Sequence, residues 1–125
     1  MKMGFLSRVA APAGRSPKAQ KDDLYEMANL FPRHTGLPVT VWVSVKGGAR
    51  HAARVKVCRR PGDRMDASDT ASVGIQPTPE LVAGSLEPEI EAVVLQWVSL
   101  NSAALLDYWN GLIDTVELIG RLQKI

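Results

Sequence analysis

Residues 39–45 alternate strictly between valine and another residue, and this alternation constrains the fold more than any other feature of the sequence. Side chains in a β-strand point to opposite faces in turn, so the four valines share one face of a strand. A second alternating segment, residues 50–58, follows the glycine pair Gly47-Gly48. Two alternating segments on either side of such a turn predict an antiparallel hairpin over residues 39–58.

The length of the hairpin loop decides which side chains become neighbours. A two-residue loop sets Val41 opposite Arg54, whereas a three-residue loop through Ala49 sets Val41 beside Val55. Matching apolar with apolar side chains favours the three-residue loop, which puts Trp42 opposite Arg54 on the outer face. The same register pairs the remaining outer positions, Thr40 with Lys56 and Lys46 with Arg50.

Charge is distributed unequally along the chain, although the formal net charge is only +2. Residues 1–64 carry thirteen Lys and Arg against four Asp and Glu, whereas residues 65–125 carry two against nine. The positive excess lies on the outer face of the hairpin and in the segment after it, which predicts an anionic partner. We predict a binding site formed by Trp42, Lys46, Arg50, Arg54, Lys56, Arg59, Arg60 and Arg64.

Three segments flank the hairpin or follow it. Residues 59–70 contain a Pro-Gly pair and no apolar periodicity, so they predict a long polar loop. Residues 71–76 alternate briefly and predict a third strand, and residues 28–32 are placed to add a fourth strand at an edge. Residues 77–84 contain two prolines and end in glycine, which predicts a turn.

The acidic half of the chain carries helix signals. Residues 88–100 begin with proline and place apolar side chains at helical spacing. Asn101 is expected to cap a second helix, which Gly111 would end in a left-handed conformation. Asp114 and Glu117 have the spacing of a capping box and predict the start of a third helix. We expect this last helix to pack onto the domain through Leu118, Ile119 and Leu122.

Length and composition indicate one domain, because 125 residues with 46% apolar content suffice for a single core. We predict an α+β domain over residues 27–125, with a three- to four-stranded antiparallel sheet packed against two to three C-terminal helices. Residues 1–26 are expected to be a disordered extension, and a start at Met27 would leave them out of the native protein. With no apolar run of about 18 residues and no disulfide pair for Cys58, we expect a cytoplasmic protein without membrane contact.

The spacing of the histidine, cysteine and aspartate residues does not indicate a catalytic site or a metal site. His34 and His51 are the two histidines, and beside the hairpin cations they would suit a metal-independent nuclease or toxin component. Nothing in their spacing brings the rings together, because His51 belongs to the inner face of its strand. One cysteine and two separate histidines do not match a zinc site, and the aspartates of residues 63–69 lack the glycine and glutamate of a calcium loop. We predict no catalytic residue, no metal and no cofactor.

Two binding functions fit the basic hairpin. In the first, the protein is a non-enzymatic interaction module whose basic face meets an acidic protein surface or the acidic half of another copy. In the second, the same face binds nucleic acid without sequence specificity, neutralising phosphates and stacking a base on Trp42. A solvated strand face whose cations prevent aggregation would have the same composition. The first function requires no residues that read a sequence, so it is preferred.

One segment resembles a known family. The run Ala92-Val-Val-Leu-Gln-Trp97-Val-Ser-Leu-Asn101-Ser-Ala-Ala-Leu-Leu106-Asp-Tyr-Trp109 is similar to the C-terminal signature of small bacterial proteins known only as a domain of unknown function. The resemblance extends over residues 37–125, and it implies a strand-rich first half. It also implies a neighbouring small gene, as in toxin–antitoxin pairs. The family's Pro-His-Phe-His run is matched here only by the segment containing His51, so the resemblance implies no histidine pair.

Overall fold

The structure, a computed structural model, describes residues 27–47 and 50–125. The disorder expected for residues 1–26 lies outside this range, as do Gly48 and Ala49 of the hairpin loop. Five strands precede three helices, and a single helical turn lies between the first two strands. The elements are β1 (Met27–Leu30), α1 (Pro32–Thr35), β2 (Val39–Ser44), β3 (Arg54–Pro61), β4 (Thr70–Gly74), β5 (Glu80–Ala83), α2 (Pro88–Leu100), α3 (Ser102–Trp109) and α4 (Thr115–Arg121).

The strands form one antiparallel sheet in the order β1-β2-β3-β4-β5, in which each strand pairs with the next along the chain. The valine alternation puts Val41, Val55, Val57 and Val73 on the inner face, where each is at most 2% exposed. They belong to one apolar cluster with helix side chains that include Val94, Trp97, Val98, Leu105, Tyr108 and Leu118. The α+β class is therefore as predicted, with one layer of helices on one face of the sheet.

The sheet has five strands, one more than the upper limit of the prediction. β1 pairs with β2, so the expected edge strand is present. The additional strand is β5, which lies in the segment predicted as a turn and pairs Leu81 with Val73 of β4. The prolines that suggested a turn, Pro77 and Pro79, precede β5 and remove no hydrogen bond from it.

The hairpin register differs from the prediction by two residues. Val41 pairs with Val57 and Trp42 pairs with Lys56, where the three-residue loop would have placed Val55 and Arg54. A shift of two leaves every side chain on its predicted face, because side chains alternate with a period of two residues. The face on which each side chain lies is therefore as predicted, but its cross-strand neighbours on that face are different.

Both described ends of the hairpin loop contact α3. The backbone N–H of Lys46 donates to the carbonyl oxygen of Trp109 at 2.7 Å. The ring of His51 lies 5.6 Å from the indole ring of Trp109, measured between centroids. Residues 45–47 and 50–53 lie outside the strands, and contacts with a helix distant in sequence accompany the observed register.

Asn101 does not cap α3 with its side chain. Its backbone torsions, φ −111° and ψ 14°, differ from the extended conformation usual for a capping residue, because α3 follows α2 without an intervening extended residue. The side-chain amide donates instead to the carbonyl oxygens of Trp97 and Gln123, at 3.0 Å each. Asn101 therefore joins the helices to the C-terminal segment.

The predicted signals at the C-terminal end of α3 and at the start of α4 are confirmed, whereas one residue that was expected to pack onto the domain is exposed. Gly111 has a φ of 76°, as expected after a helix. Asp114 and Glu117 form the predicted capping box, with two bonds of 2.8 Å. Leu118 is fully buried, but Ile119 is 38% exposed, contrary to the prediction. Successive helical residues are about 100° apart, and Ile119 lies toward the side of α4 that carries Val116, which is 68% exposed.

Candidate functional site

Trp42 and Lys56 lie side by side on the face of the sheet opposite the helices. They are register partners on β2 and β3, and the Lys56 ammonium nitrogen is 5.6 Å from the centroid of the indole ring. The indole is half-buried, whereas Lys56 is exposed. An ammonium group at this distance from an aromatic face is attracted by the ring quadrupole. The pair combines an apolar surface with a positive charge that solvent can reach.

Arg54 lies on the same face, next to Lys56 on alternate positions of β3. Its register partner on β4 is Gly74, so no side chain from that position covers the guanidinium group. The Nε atom of Arg54 is buried and has no hydrogen-bond partner. Glu80 follows Gly74 in register on β5, but no ion pair joins it to Arg54 within the described residues. We call the set Trp42, Arg54 and Lys56 the cationic face.

Small side chains on β4 shape the space beside the cationic face, and the sequence analysis did not include them. Ser72 pairs with Lys56, and Gly74 pairs with Arg54. A β-carbon at Gly74 would lie 3.3 Å from a methyl carbon of Val82, so a side chain there would crowd Val82. The alternation of residues 71–76 puts both positions on the outer face, and that signal was available in the sequence.

Lys46 and Arg50 extend the positive charge from the cationic face to the hairpin loop. Both side chains are exposed, and within residues 27–47 and 50–125 neither forms an ion pair. The backbone of Lys46 bonds to Trp109, so this residue lies beside the end of α3. We call this pair the loop cations.

Arg59 and Arg60 were predicted to belong to the basic face, but both bind the same carboxylate. One oxygen of Asp69 accepts from Arg59 at 2.9 Å, and the other accepts from Arg60 at 3.1 Å. The Nε of Arg59 also donates to the carbonyl oxygen of Ser85 at 2.8 Å, which directs this side chain toward the start of α2. The two arginines hold the segment after β3 against the domain, and Asp69 partly offsets their charge.

Arg64 lies in a segment whose charges balance. Asp66 accepts hydrogen bonds from the Ser68 hydroxyl at 2.6 Å and from the Ser68 backbone at 3.0 Å. These bonds lower the pKa of Asp66; desolvation opposes them, and the charges of Arg60 and Arg64 lower the pKa further. Within residues 27–47 and 50–125, Arg64 forms no ion pair but lies near Asp66, whereas the hairpin cations of the predicted site have no carboxylate partner. The aspartates at positions 63, 66 and 69 are the sequence signal for this difference.

The two histidines make different contacts. His34 accepts a hydrogen bond at Nδ1 from the backbone N–H of Phe31, at 3.1 Å. Burial lowers the pKa of His34, and the charges of Arg33 and Lys124 lower it further. His51 instead packs on Trp109, with its Nδ1 2.9 Å from the carbonyl oxygen of Ala52. Each ring thus has its own structural contacts.

Other chemical groups are few in the described part of the chain. Cys58, placed on the basic face by alternation, is only 2% exposed, so it is a buried thiol and not a surface group. Residues 27–47 and 50–125 hold no group of three or more His, Cys, Asp or Glu side chains arranged for a metal ion. Among their helices, none has the length and apolar character needed to cross a membrane.

The chain matches no protein-family model, no curated protein and no solved structure. The resemblance of residues 37–125 to a domain of unknown function stays a prediction for that reason. What the fold and the site define is a two-layer α+β domain with an aromatic and two cations on the helix-free face of its sheet.

Proposed function

We propose that this protein is a non-enzymatic binding module whose cationic face binds an acidic segment of a partner protein. The observation that carries the proposal is Arg54, whose buried Nε has no hydrogen-bond partner. A buried donor without an acceptor costs about 1–3 kcal/mol. A carboxylate that displaced the atoms covering Nε and accepted its hydrogen bond would remove this cost and form a charge-assisted hydrogen bond.

The neighbours of Arg54 suit the same ligand. Lys56 adds a second positive charge, and Trp42 adds an apolar surface for the methylene groups or ring of an adjacent residue. Gly74, the register partner of Arg54, adds no side chain beside the guanidinium group. The loop cations, Lys46 and Arg50, would raise the association rate by attracting an acidic segment from a distance.

Charge balance favours an acidic protein segment over nucleic acid. Non-specific nucleic-acid binding depends on several cations that follow the phosphate backbone. Arg59 and Arg60 bind Asp69, which reduces the set originally predicted to line such a path. One ring face of Trp42 is already approached by Lys56, and this leaves less of the ring for stacking with a base.

The test measures binding of two fluorescent probes to the full chain over a salt series. One probe is a peptide of about 12 residues that carries several glutamates and one tyrosine, and the other is a single-stranded oligonucleotide of equal charge. The key variant is Arg54→Glu with Lys56→Glu. Its matched control is Arg64→Glu with Lys124→Glu, which changes the net charge equally at exposed positions away from the cationic face.

We expect the peptide to bind more tightly than the oligonucleotide, and the key variant to lose peptide binding while the control keeps most of it. Equal losses in both variants would mean that net charge alone attracts the peptide, which contradicts the proposal. Preferential binding of the oligonucleotide would favour nucleic acid instead. A further variant, with Glu87, Glu89 and Glu91 changed to glutamine, tests whether the acidic ligand is another copy of the chain, because only self-association would then weaken.

A further inference from the structure

Arg54 and Lys56 occupy alternate positions of β3, so both side chains leave the same face of the sheet. β3 is hydrogen-bonded to β2 on one side and to β4 on the other, which fixes the backbone spacing between the two residues. Two residues of a strand span about 6.7 Å. The two cations therefore form a row with the period of a strand, and we call this pair the β3 row.

The two cations of the β3 row have different surroundings. Lys56 is exposed, and its ammonium group lies beside the indole ring of Trp42 on the neighbouring strand β2. Arg54 is half-buried, and its Nε is buried without a hydrogen-bond partner. A carboxylate that pairs with Lys56 stays in water and is screened by salt, whereas one that pairs with Arg54 reaches a partly buried donor. Each cation is therefore suited to a carboxylate of its own.

The β3 row is limited to two cations along the strand. The next outer position after Lys56 is Cys58, which is 2% exposed, and the alternate position before Arg54 is an alanine. Across the strands, Gly74 separates Arg54 from Glu80 of β5. Glu80 is exposed, and its charge would repel a carboxylate that approached from β5. A ligand with two acidic residues therefore meets both cations when it runs along β3.

Resting on the proposed function, we infer that the cationic face recognises an extended segment of a partner protein with two acidic residues at alternate positions, one facing Arg54 and the other facing Lys56. Side chains at alternate positions of an extended chain lie on one face, with the same period as those of β3. Such a segment brings both carboxylates to the β3 row without bending its backbone. The side chain between them points away from the sheet and is free to vary.

An extended segment suits this face better than a helix does. Acidic residues four apart in a helix have a similar separation, about 5–6 Å between β-carbons. A helix that docks on a surface, however, relies on several apolar anchors spaced along one side. The β3 row and its register partners offer one such anchor, Trp42, together with the small residues Ser72 and Gly74. Two ion pairs are therefore the main source of affinity, and an extended backbone is sufficient to form them.

The acidic helix of this chain does not present such a segment. Glu89 and Glu91 are two residues apart, but they lie in the first turn of α2. Alternate positions of a helix point about 200° apart, so these two carboxylates do not share a face. The inference therefore selects a different protein as the partner, and not a second copy of this domain.

Three fluorescently labelled peptides of about ten residues test the inference, by anisotropy with the full chain at low salt. Each peptide contains the same residues, including one tyrosine and two glutamates, and only the spacing of the glutamates differs: Glu-x-Glu, Glu-Glu or Glu-x-x-x-Glu. We expect Glu-x-Glu to bind at least about threefold more tightly than either of the others, which is the effect of one additional exposed ion pair. Lys56→Gln should remove this preference, because a single cation does not distinguish the spacings.

The matched control is Lys46→Gln, which removes one exposed loop cation and leaves the β3 row intact. This variant should weaken binding of all three peptides by a similar factor and keep the preference for Glu-x-Glu. Circular dichroism of each variant confirms that the fold is retained.

Three results would overturn the inference and leave the proposed function standing: equal affinities of the three peptides, tighter binding of Glu-x-x-x-Glu, or a preference that survives Lys56→Gln. Failure of all three peptides to bind would overturn the proposed function as well. The two failures are therefore distinguishable in one set of titrations.

Discussion

Asn101 and Gln123 are joined by a reciprocal pair of hydrogen bonds. The side-chain nitrogen of Asn101 donates to the Gln123 carbonyl oxygen at 3.0 Å, and the Gln123 backbone N–H donates to the Asn101 side-chain oxygen at 2.8 Å. Asn101 is only 3% exposed and also donates to the carbonyl oxygen of Trp97. One buried amide thus ties the end of α2 to the C-terminal segment.

Replacing Asn101 should destabilise the domain strongly. Asn101→Ala removes the three hydrogen bonds of a buried side-chain amide, so we expect a loss of about 2–4 kcal/mol in the free energy of unfolding. Urea denaturation followed by tryptophan fluorescence measures this loss. Asn110→Ala is the control, because that residue is exposed and its loss should cost less than about 1 kcal/mol. Similar losses in both variants would contradict the role assigned to Asn101.

The C-terminal residue also packs against the turn α1, and Gly36 makes this possible. The Ile125 backbone N–H donates to the Thr35 carbonyl oxygen at 3.0 Å. A β-carbon at Gly36 would lie 2.5 Å from the Ile125 carbonyl oxygen, and the residue has a φ of +82°. The positive φ disfavours an L side chain at this position, and the close approach of Ile125 would force the backbone to move if one were added.

We expect Gly36→Ala to cost more than the roughly 1–2 kcal/mol of a left-handed backbone alone. Gly62→Ala separates the two contributions, because Gly62 has a φ of +123° and nothing within 4 Å of its β-carbon position. Thermal and urea denaturation of both variants measure the difference. If Gly62→Ala costs as much as Gly36→Ala, the close approach of the C-terminal segment contributes nothing to the loss.

His34 should make stability depend on pH. Its pKa in the folded protein is lowered from 6.5, chiefly by burial, and its neutral Nδ1 accepts from Phe31. The unfolded chain therefore takes up the proton at a higher pH than the folded protein does. The stability from this contact is fully present above about pH 6.5 and is lost as the pH falls through the folded pKa.

Urea midpoints measured at intervals from pH 8 to pH 5 test this expectation. His34→Gln should reduce the fall in stability of the wild-type protein over that range. His51→Gln is the control, since His51 lies in the hairpin loop and does not contact Phe31. An unchanged pH profile for His34→Gln would show that this contact is not linked to protonation.

Arg54 should be more important for binding than for stability. Its buried Nε lacks a partner, so Arg54→Met removes an unsatisfied donor and keeps most of the apolar side chain. We expect unfolding free energy to stay the same or rise by about 1 kcal/mol, while acidic-peptide binding falls. Urea denaturation and peptide titration of one sample measure both properties. A loss of stability above about 2 kcal/mol would mean that Arg54 is structural.

Local signals account for the elements that could be predicted from the sequence. Alternation at residues 39–45 determined which side chains face the core, because the period of a strand is a property of its backbone. Asp114 and Glu117 determined where α4 begins, because a capping box closes within four residues. The cationic face, too, follows from alternation, since Trp42, Arg54 and Lys56 share a face in any register with that parity.

Only the tertiary structure decided which of these side chains are neighbours. The β2–β3 register differs from the predicted one by two residues at Val41 and Trp42, and such a shift changes neither face, so alternation cannot detect it. Asp69 binds Arg59 and Arg60 only because β3 and β4 are adjacent. The sequence by itself determined periodicity, helix ends and the positions of charge. Folding decided the register and the ion pairs, because these depend on contacts between residues far apart in the chain.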